Sequence, residues 1–161
     1  MMGVAACGTT KSTAAAGATT TFILVRHAEK GTDDARDPSL NDAGRARADK
    51  LAQLLSDAPL TAAYATAYRR TQQTARPAAD EHGIVVTTYD AKMADAAFAS
   101  QLRAAHARGT VLVVGHSNSV PGIVAALSGT AVEAIRDDQF DRIYRVSIGP
   151  DGEATLSQSS Y

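Results

Sequence analysis

Apolar positions along the chain fall into two patterns, short unbroken runs and stripes at helical spacing, and the two alternate. Phe22-Ile23-Leu24-Val25 and Val111-Leu112-Val113-Val114 are unbroken runs of strand length, as expected of strands buried on both faces. Ala48, Leu51, Ala52 and Leu55 predict a helix over 41–57 that Asn41 or Asp42 can cap. A short strand over 62–65 leads to a second helix over 68–82, kinked by Pro77 and stopped by Gly83, and then to a strand over 84–86. Phe98, Leu102 and Ala105 mark a third helix that Gly109 ends. Val120, Ile123, Val124 and Leu127 mark a fourth, with Pro121 in its first turn and Gly129 after its end. Apolar and polar residues then alternate over 142–148 and 153–157, around the hairpin signal Gly149-Pro150-Asp151-Gly152. The sum predicts an α/β fold: a three-layer α/β/α sandwich with a mostly parallel sheet and an antiparallel C-terminal edge.

Residues 1–20 break the pattern. They are nearly all Ala, Gly, Thr and Ser, without period, and read as a flexible N-terminal segment ahead of one domain over 21–161. Gly3, Gly8, Lys11 and Ser12 do not make a phosphate-binding loop, because Thr9 and Thr10 intervene and no strand precedes. Val4-Ala5-Ala6-Cys7-Gly8 resembles a bacterial lipobox, in which small residues precede a cysteine that becomes lipidated. Six residues precede Cys7, too few for the basic and apolar parts of a signal peptide. The lipobox reading places the protein in the cell envelope or periplasm, held by a lipid on Cys7 with the segment as its tether. A chance match leaves a cytoplasmic protein.

Composition narrows the function classes. The 161 residues suit one globular domain with a single core. A formal charge of −1 gives no bulk electrostatic reason to bind nucleic acid or an acidic membrane, so any anion binding must be local. No run approaches the ~18 apolar residues of a membrane span, and a single cysteine excludes an internal disulfide framework or a Cys-rich metal site.

Open α/β sheets bind ligands at the carboxyl ends of their strands, and both of the most apolar strands end in a histidine. The first runs into Arg26-His27-Ala28-Glu29-Lys30, the second into Gly115-His116-Ser117-Asn118-Ser119 and the fourth helix. Two imidazoles, an arginine and a helix N-terminus thus converge on one edge, a set of donors that fits a phosphate. Arg26-His27-Ala28 resembles the R-H-G/A signature of the histidine phosphatase, or phosphoglycerate mutase-like, superfamily. Three further blocks match in order: Asp37 to Gly44, Thr66 to Ala75 with its arginine at Arg70, and Gly115 to Ser119. The match spans about Phe22 to Leu127. The resemblance implies His27 as the nucleophile, with Arg26, Arg70 and His116 holding the phosphoryl group and Ser117 and Asn118 beside it. It further implies a two-step hydrolysis through phosphohistidine with no cofactor or metal. The expected partner is a small phosphorylated substrate or a phosphorylated protein, and the oligomeric state is open.

The acid for the leaving oxygen departs from the family pattern, since Ser117 stands where phytase-like relatives place Asp. Asp90, at a strand end, is the first choice among nearby acids, and Glu29, two residues beyond the nucleophile, is its rival. His82 and His106 read as structural, and Arg69 as a solvated helix residue. Three other functions remain. A phosphoglycerate mutase-type phosphotransferase is disfavoured by the absence of a long insertion that would cap the site. A serine hydrolase using Ser117 is disfavoured because every histidine precedes that serine. An inactive phosphate-binding module is disfavoured by retention of the nucleophile and both arginines.

Overall fold

The computed structural model describes residues 17–161; Cys7 and most of the N-terminal segment lie outside the described residues. Ten elements follow in order: β1 (Thr20–Arg26), α1 (Asp42–Leu55), β2 (Leu60–Thr66), α2 (Arg69–Glu81), β3 (Val86–Tyr89), α3 (Asp95–Ala105), β4 (Gly109–Gly115), α4 (Val120–Ser128), β5 (Arg142–Ile148) and β6 (Ala154–Ser160). The six strands form one sheet in the order β3-β2-β4-β1-β5-β6. β3, β2, β4 and β1 run parallel, and β5 and β6 are antiparallel at the C-terminal edge.

The unbroken runs in β1 and β4 reflect helices on both faces. Phe22, Leu24, Val111 and Val113 pack with Phe98 and Leu102 of α3 and Ile123, Val124 and Leu127 of α4. Their neighbours Ile23, Val25, Leu112 and Val114 face the other way, onto Leu51 and Leu55 of α1 and Ala75, Ala78 and Ala79 of α2. Side chains alternate across a strand, so a strand covered on both sides has no position left for a polar residue.

The local signals hold at most element ends. Asn41 caps α1, its side chain accepting from Gly44 N at 2.8 Å. α2 continues unbroken through Pro77. At its end Gly83 takes φ +66°, with its N–H on Asp80 O at 3.1 Å and the Ile84 N–H on Ala79 O at 2.9 Å. This closing motif explains why β3 starts at Val86 and not at Ile84: the Ile84 amide belongs to the helix, and Val85 points into solvent. Gly109 does not end α3, which closes on His106, but opens β4 with φ +87°. The hairpin turn forms as its residues predict, with Gly152 at φ +83°, and β6 extends beyond the expected strand to Ser160.

β1 and β4 are adjacent, with Arg26 opposite Gly115. The helices that follow them, α1 and α4, lie on opposite faces of the sheet. The chain therefore diverges at the carboxyl ends of these two strands and leaves a crevice there, directly beside His27 and His116.

Candidate active site

His27 is fixed by backbone before any side chain acts. Its N–H donates to Gly115 O at 2.9 Å, which ties it to the end of β4. The next amide, Ala28 N, donates to Thr74 Oγ1 at 2.9 Å, and that hydroxyl donates to Arg70 O at 2.7 Å. One buried threonine of α2 thus joins the His27 loop to the backbone of Arg70. Gln73 does the same for the far end of the loop, accepting from Leu40 N at 2.8 Å. Ala28 is fully buried against Leu40 and Ala48, which leaves space for nothing larger.

The His27 ring is buried, and its Nδ1 lies 2.8 Å from Ala28 O. A carbonyl can only accept, so Nδ1 carries the proton and Nε2 keeps a lone pair, with no partner among the described residues. Burial depresses the ring's pKa to about 3. The Ala28 carbonyl opposes this shift, while the charges of Arg26, Arg70 and His116 add to it. The ring is therefore neutral at physiological pH and presents a nucleophilic nitrogen.

Both arginines are held at one end and free at the other. Arg26 donates through one terminal nitrogen to the carbonyls of Arg136, Asp137 and Gln139 at 2.9–3.1 Å, and its guanidinium lies 4.2 Å over the Phe140 ring. The Arg70 guanidinium stacks 4.4 Å over Tyr68, with Asp37 at 4.0 Å. In each case Nε is buried without a hydrogen-bond partner. A buried orphan donor costs about 1–3 kcal/mol, more when charged, and the charges of both guanidiniums act on the His27 ring, a concentration of positive charge that suits an anion.

His116 stands edge-on to His27, their ring centroids 5.5 Å apart, and edge-on to Tyr68 at 5.2 Å. Burial lowers its pKa to about 4, helped by Arg70 and Arg26. Its Nε2 is 2.9 Å from Thr66 Oγ1. With Tyr68, Arg70, Ala91, Lys92 and Asn118 it lines a cavity of about 240 Å³. A larger hollow of about 340 Å³ at the opposite end of the sheet, lined by Thr20, Arg103, His106 and Pro150 among others, has no comparable convergence of donors.

The structure therefore brings Arg26, His27, Arg70 and His116 together. It separates Arg69, whose side chain is exposed and faces Asp37 while its amide is capped by Asp37 Oδ1 at 2.9 Å. Asn118 lines the cavity, but among the described residues Ser117 makes no hydrogen bond to a histidine, so no serine–histidine pair forms there. Neither caps α4; Ser119 occupies that position and accepts the His116 N–H through Oγ at 3.2 Å.

The two carboxylates expected as acids are otherwise engaged. Glu29 accepts three hydrogen bonds from Arg47 at 2.8–3.0 Å. Although burial alone would raise its pKa, the Arg47 bonds and charge hold it below the usual carboxylate value, so it has no proton to give. Asp90 is exposed and accepts the Lys92 amide of its own turn at 2.8 Å; it lines an adjoining hollow, and only its neighbours Ala91 and Lys92 reach the cavity with His116. Sequence reading missed Thr66 as the His116 partner and Thr71 behind it, Phe140 and the carbonyls of Arg136, Asp137 and Gln139 around Arg26, and Lys92. Thr66 and Thr71 lay inside a matched block; the others carry no local signal, being brought in by the return of the chain.

The family model described as histidine phosphatase superfamily (branch 1) matches residues 22–99. Among curated proteins no sequence matches. Among solved structures, the chain is similar to the protein histidine phosphatase SixA complexed with tungstate, at 19% identity and a TM-score of 0.67, over 87% of this chain and 96% of that one. It is similar to a mycobacterial glucosyl-3-phosphoglycerate phosphatase at 13% identity and a TM-score of 0.66, over 89% and 98%. It is also similar to a phosphoglycerate mutase from Bacillus anthracis str. Sterne, at 14% and 0.67, over 89% and 94%. At such identities these likenesses speak to the fold.

Proposed function

We propose that this chain, whose residues 22–99 match the histidine phosphatase superfamily model, is a phosphohydrolase of that superfamily that cleaves phosphomonoesters, or a phosphorylated protein side chain, through a phosphohistidine on His27. The observation that carries this reading is the convergence of the Arg26 and Arg70 guanidiniums on a neutral imidazole with a free Nε2.

The chemistry follows from those atoms. The arginines bind and orient the phosphoryl oxygens, each by charge-assisted hydrogen bonds from a guanidinium whose remaining nitrogens or ring face are already fixed. His27 Nε2 forms a bond to phosphorus as the ester P–O bond breaks, and the Ala28 carbonyl stabilises the positive charge that develops on the ring through Nδ1–H. Water then attacks phosphorus and the N–P bond breaks, returning His27 to its neutral state. Water as the acceptor suits a site whose rim residues Ala91, Lys92 and Asn118 are exposed. The same openness suits a range of esters or a residue on a protein surface.

The test is a trapping experiment. His27→Ala should abolish phosphate release from an artificial monoester, and the wild type, quenched during turnover, should carry an acid-labile, base-stable phosphoryl label that the variant lacks. Full activity in His27→Ala would sink the mechanism.

A further inference from the structure

With Glu29 bound to Arg47 and Asp90 turned onto its own loop, neither carboxylate expected as the acid is free to serve, whereas His116 has one nitrogen unaccounted for. We propose that His116 carries the leaving group's proton on Nδ1, and that Thr66 and Thr71 are the positioning residues that reserve that nitrogen for it. This rests on the phosphatase reading above.

The argument is a count of hydrogens. His116 Nε2 lies 2.9 Å from Thr66 Oγ1, Thr66 Oγ1 lies 2.8 Å from Thr71 Oγ1, and Thr71 Oγ1 lies 2.8 Å from Tyr68 O and 3.0 Å from Thr66 O. Both threonines are fully buried, so no water relieves an unmade bond. The carbonyls only accept, so the Thr71 hydrogen points at them. The hydrogen between the two hydroxyls must then be that of Thr66, and the hydrogen between Thr66 and His116 must be that of Nε2. The reverse arrangement, with Thr66 donating to Nε2, takes Thr71 away from both carbonyls and makes one bond fewer. The donor chain therefore runs one way, from His116 Nε2–H through two hydroxyls to the backbone. It fixes the neutral tautomer with its lone pair on Nδ1, which has no partner among the described residues.

The groups facing His116 are the guanidinium of Arg26 from β1, that of Arg70 from α2, the His27 ring, the Tyr68 ring and Lys92 from the β3–α3 loop. Burial above all, and then the charges of Arg70 and Arg26, keeps His116 neutral while the site is empty. A bound phosphoryl dianion reverses the local charge, and His116 takes up a proton at Nδ1. In the first displacement that proton goes to the leaving oxygen as the P–O bond breaks; in the second, Nδ1 takes a proton from the attacking water as the N–P bond breaks. Protons balance over the cycle.

Two measurements on the purified full chain test this. In ¹⁵N-histidine-labelled, ligand-free protein at neutral pH, the His116 resonances, assigned with His116→Ala, should show the proton on Nε2. A proton on Nδ1 would overturn the donor chain. The second compares turnover of dinitrophenyl phosphate, whose leaving oxygen needs no proton, with that of ethyl phosphate, whose oxygen does. Thr66→Val should lose on the order of 10²-fold more kcat on ethyl phosphate than on dinitrophenyl phosphate, and Thr66→Ser should restore most of it. Asp90→Asn should leave the ratio of the two rates unchanged. A selective loss on ethyl phosphate in Asp90→Asn, or an equal loss on both esters in Thr66→Val, would overturn the assignment. Wild-type protein that hydrolyses neither ester would instead overturn the phosphatase reading, with the tautomer still decided by the spectra.

Discussion

Arg69 and Arg70 are neighbours of identical chemistry, and their environments give them opposite roles. Arg70 lies against Tyr68 with a buried, unpartnered Nε, whereas the Arg69 side chain is exposed and only loosely paired with Asp37. A charge-assisted hydrogen bond is worth ~1.5–3 kcal/mol, or about 10-fold to more than 100-fold in rate when made in the transition state. Exposed ion pairs contribute at most ~1 kcal/mol. Arg70→Ala should therefore lower kcat/KM by that range while Arg69→Ala changes it less than about threefold, and equal losses would show that the two side chains have been exchanged. The histidines make a second prediction at this scale. His27 and His116 are buried neutral, with folded pKa values of about 3 and about 4 against an ordinary 6.5. Between those values the unfolded chain binds more protons than the folded one, so their contribution to stability is complete above 6.5 and is lost as pH falls toward 4 and then 3. Urea midpoints should fall over this acidic window, and His27→Gln should flatten the slope. A slope identical to the wild type's would contradict the neutral, buried imidazole.

Each element positions the site through one close approach. The first turn of α1 comes so near the loop after β1 that a Cβ on Gly44 would meet Glu29 O at 2.1 Å. Helix propensity alone favours alanine over glycine by ~1 kcal/mol, but this contact is with backbone, which cannot swing aside, and overpacking costs ~1–3 kcal/mol. The clash should win. Gly44→Ala is expected to lower the thermal midpoint and to reduce turnover, since the displaced segment carries Glu29 and the loop that Gln73 and Thr74 clamp beside His27. A variant as stable and active as wild type would show that α1 shifts freely against this loop. α2 makes the complementary approach, with Thr74 on the Ala28 amide and Arg70 one turn earlier, so the block Gln73-Thr74-Ala75 is intelligible as a clamp and a small buried face toward the sheet.

At the scale of the molecule, the strand order places β1 beside β4 and sends α1 and α4 to opposite faces, and the site is the crevice this leaves. Among the described residues no group of three His, Cys, Asp or Glu side chains is placed to hold a metal, and cationic donors line the crevice instead. Phosphatase activity should accordingly withstand EDTA, and vanadate should inhibit it by occupying the arginine-lined site; activity lost on chelation and restored by a divalent metal would refute this. The two buried strand runs, the helical stripes of α1 and α4, the hairpin and the pairing of His27 with His116 were legible in the sequence, because each depends on periodicity or on a motif within a few consecutive residues. The start of β3 was not, because the Ile84 amide is claimed by a helix cap and Val85 is apolar yet exposed. Nor was the fate of the acids, since Glu29 in the loop after β1 meets Arg47 from α1 and Asp90 meets its own turn. Sequence by itself determined which chemical groups stand at the ends of which strands. Tertiary structure alone decided which of those groups are buried, which donors are left unpartnered, and which nitrogen of each histidine carries a proton. Those properties depend on neighbours distant in the chain, and on the loss of water that only packing brings about.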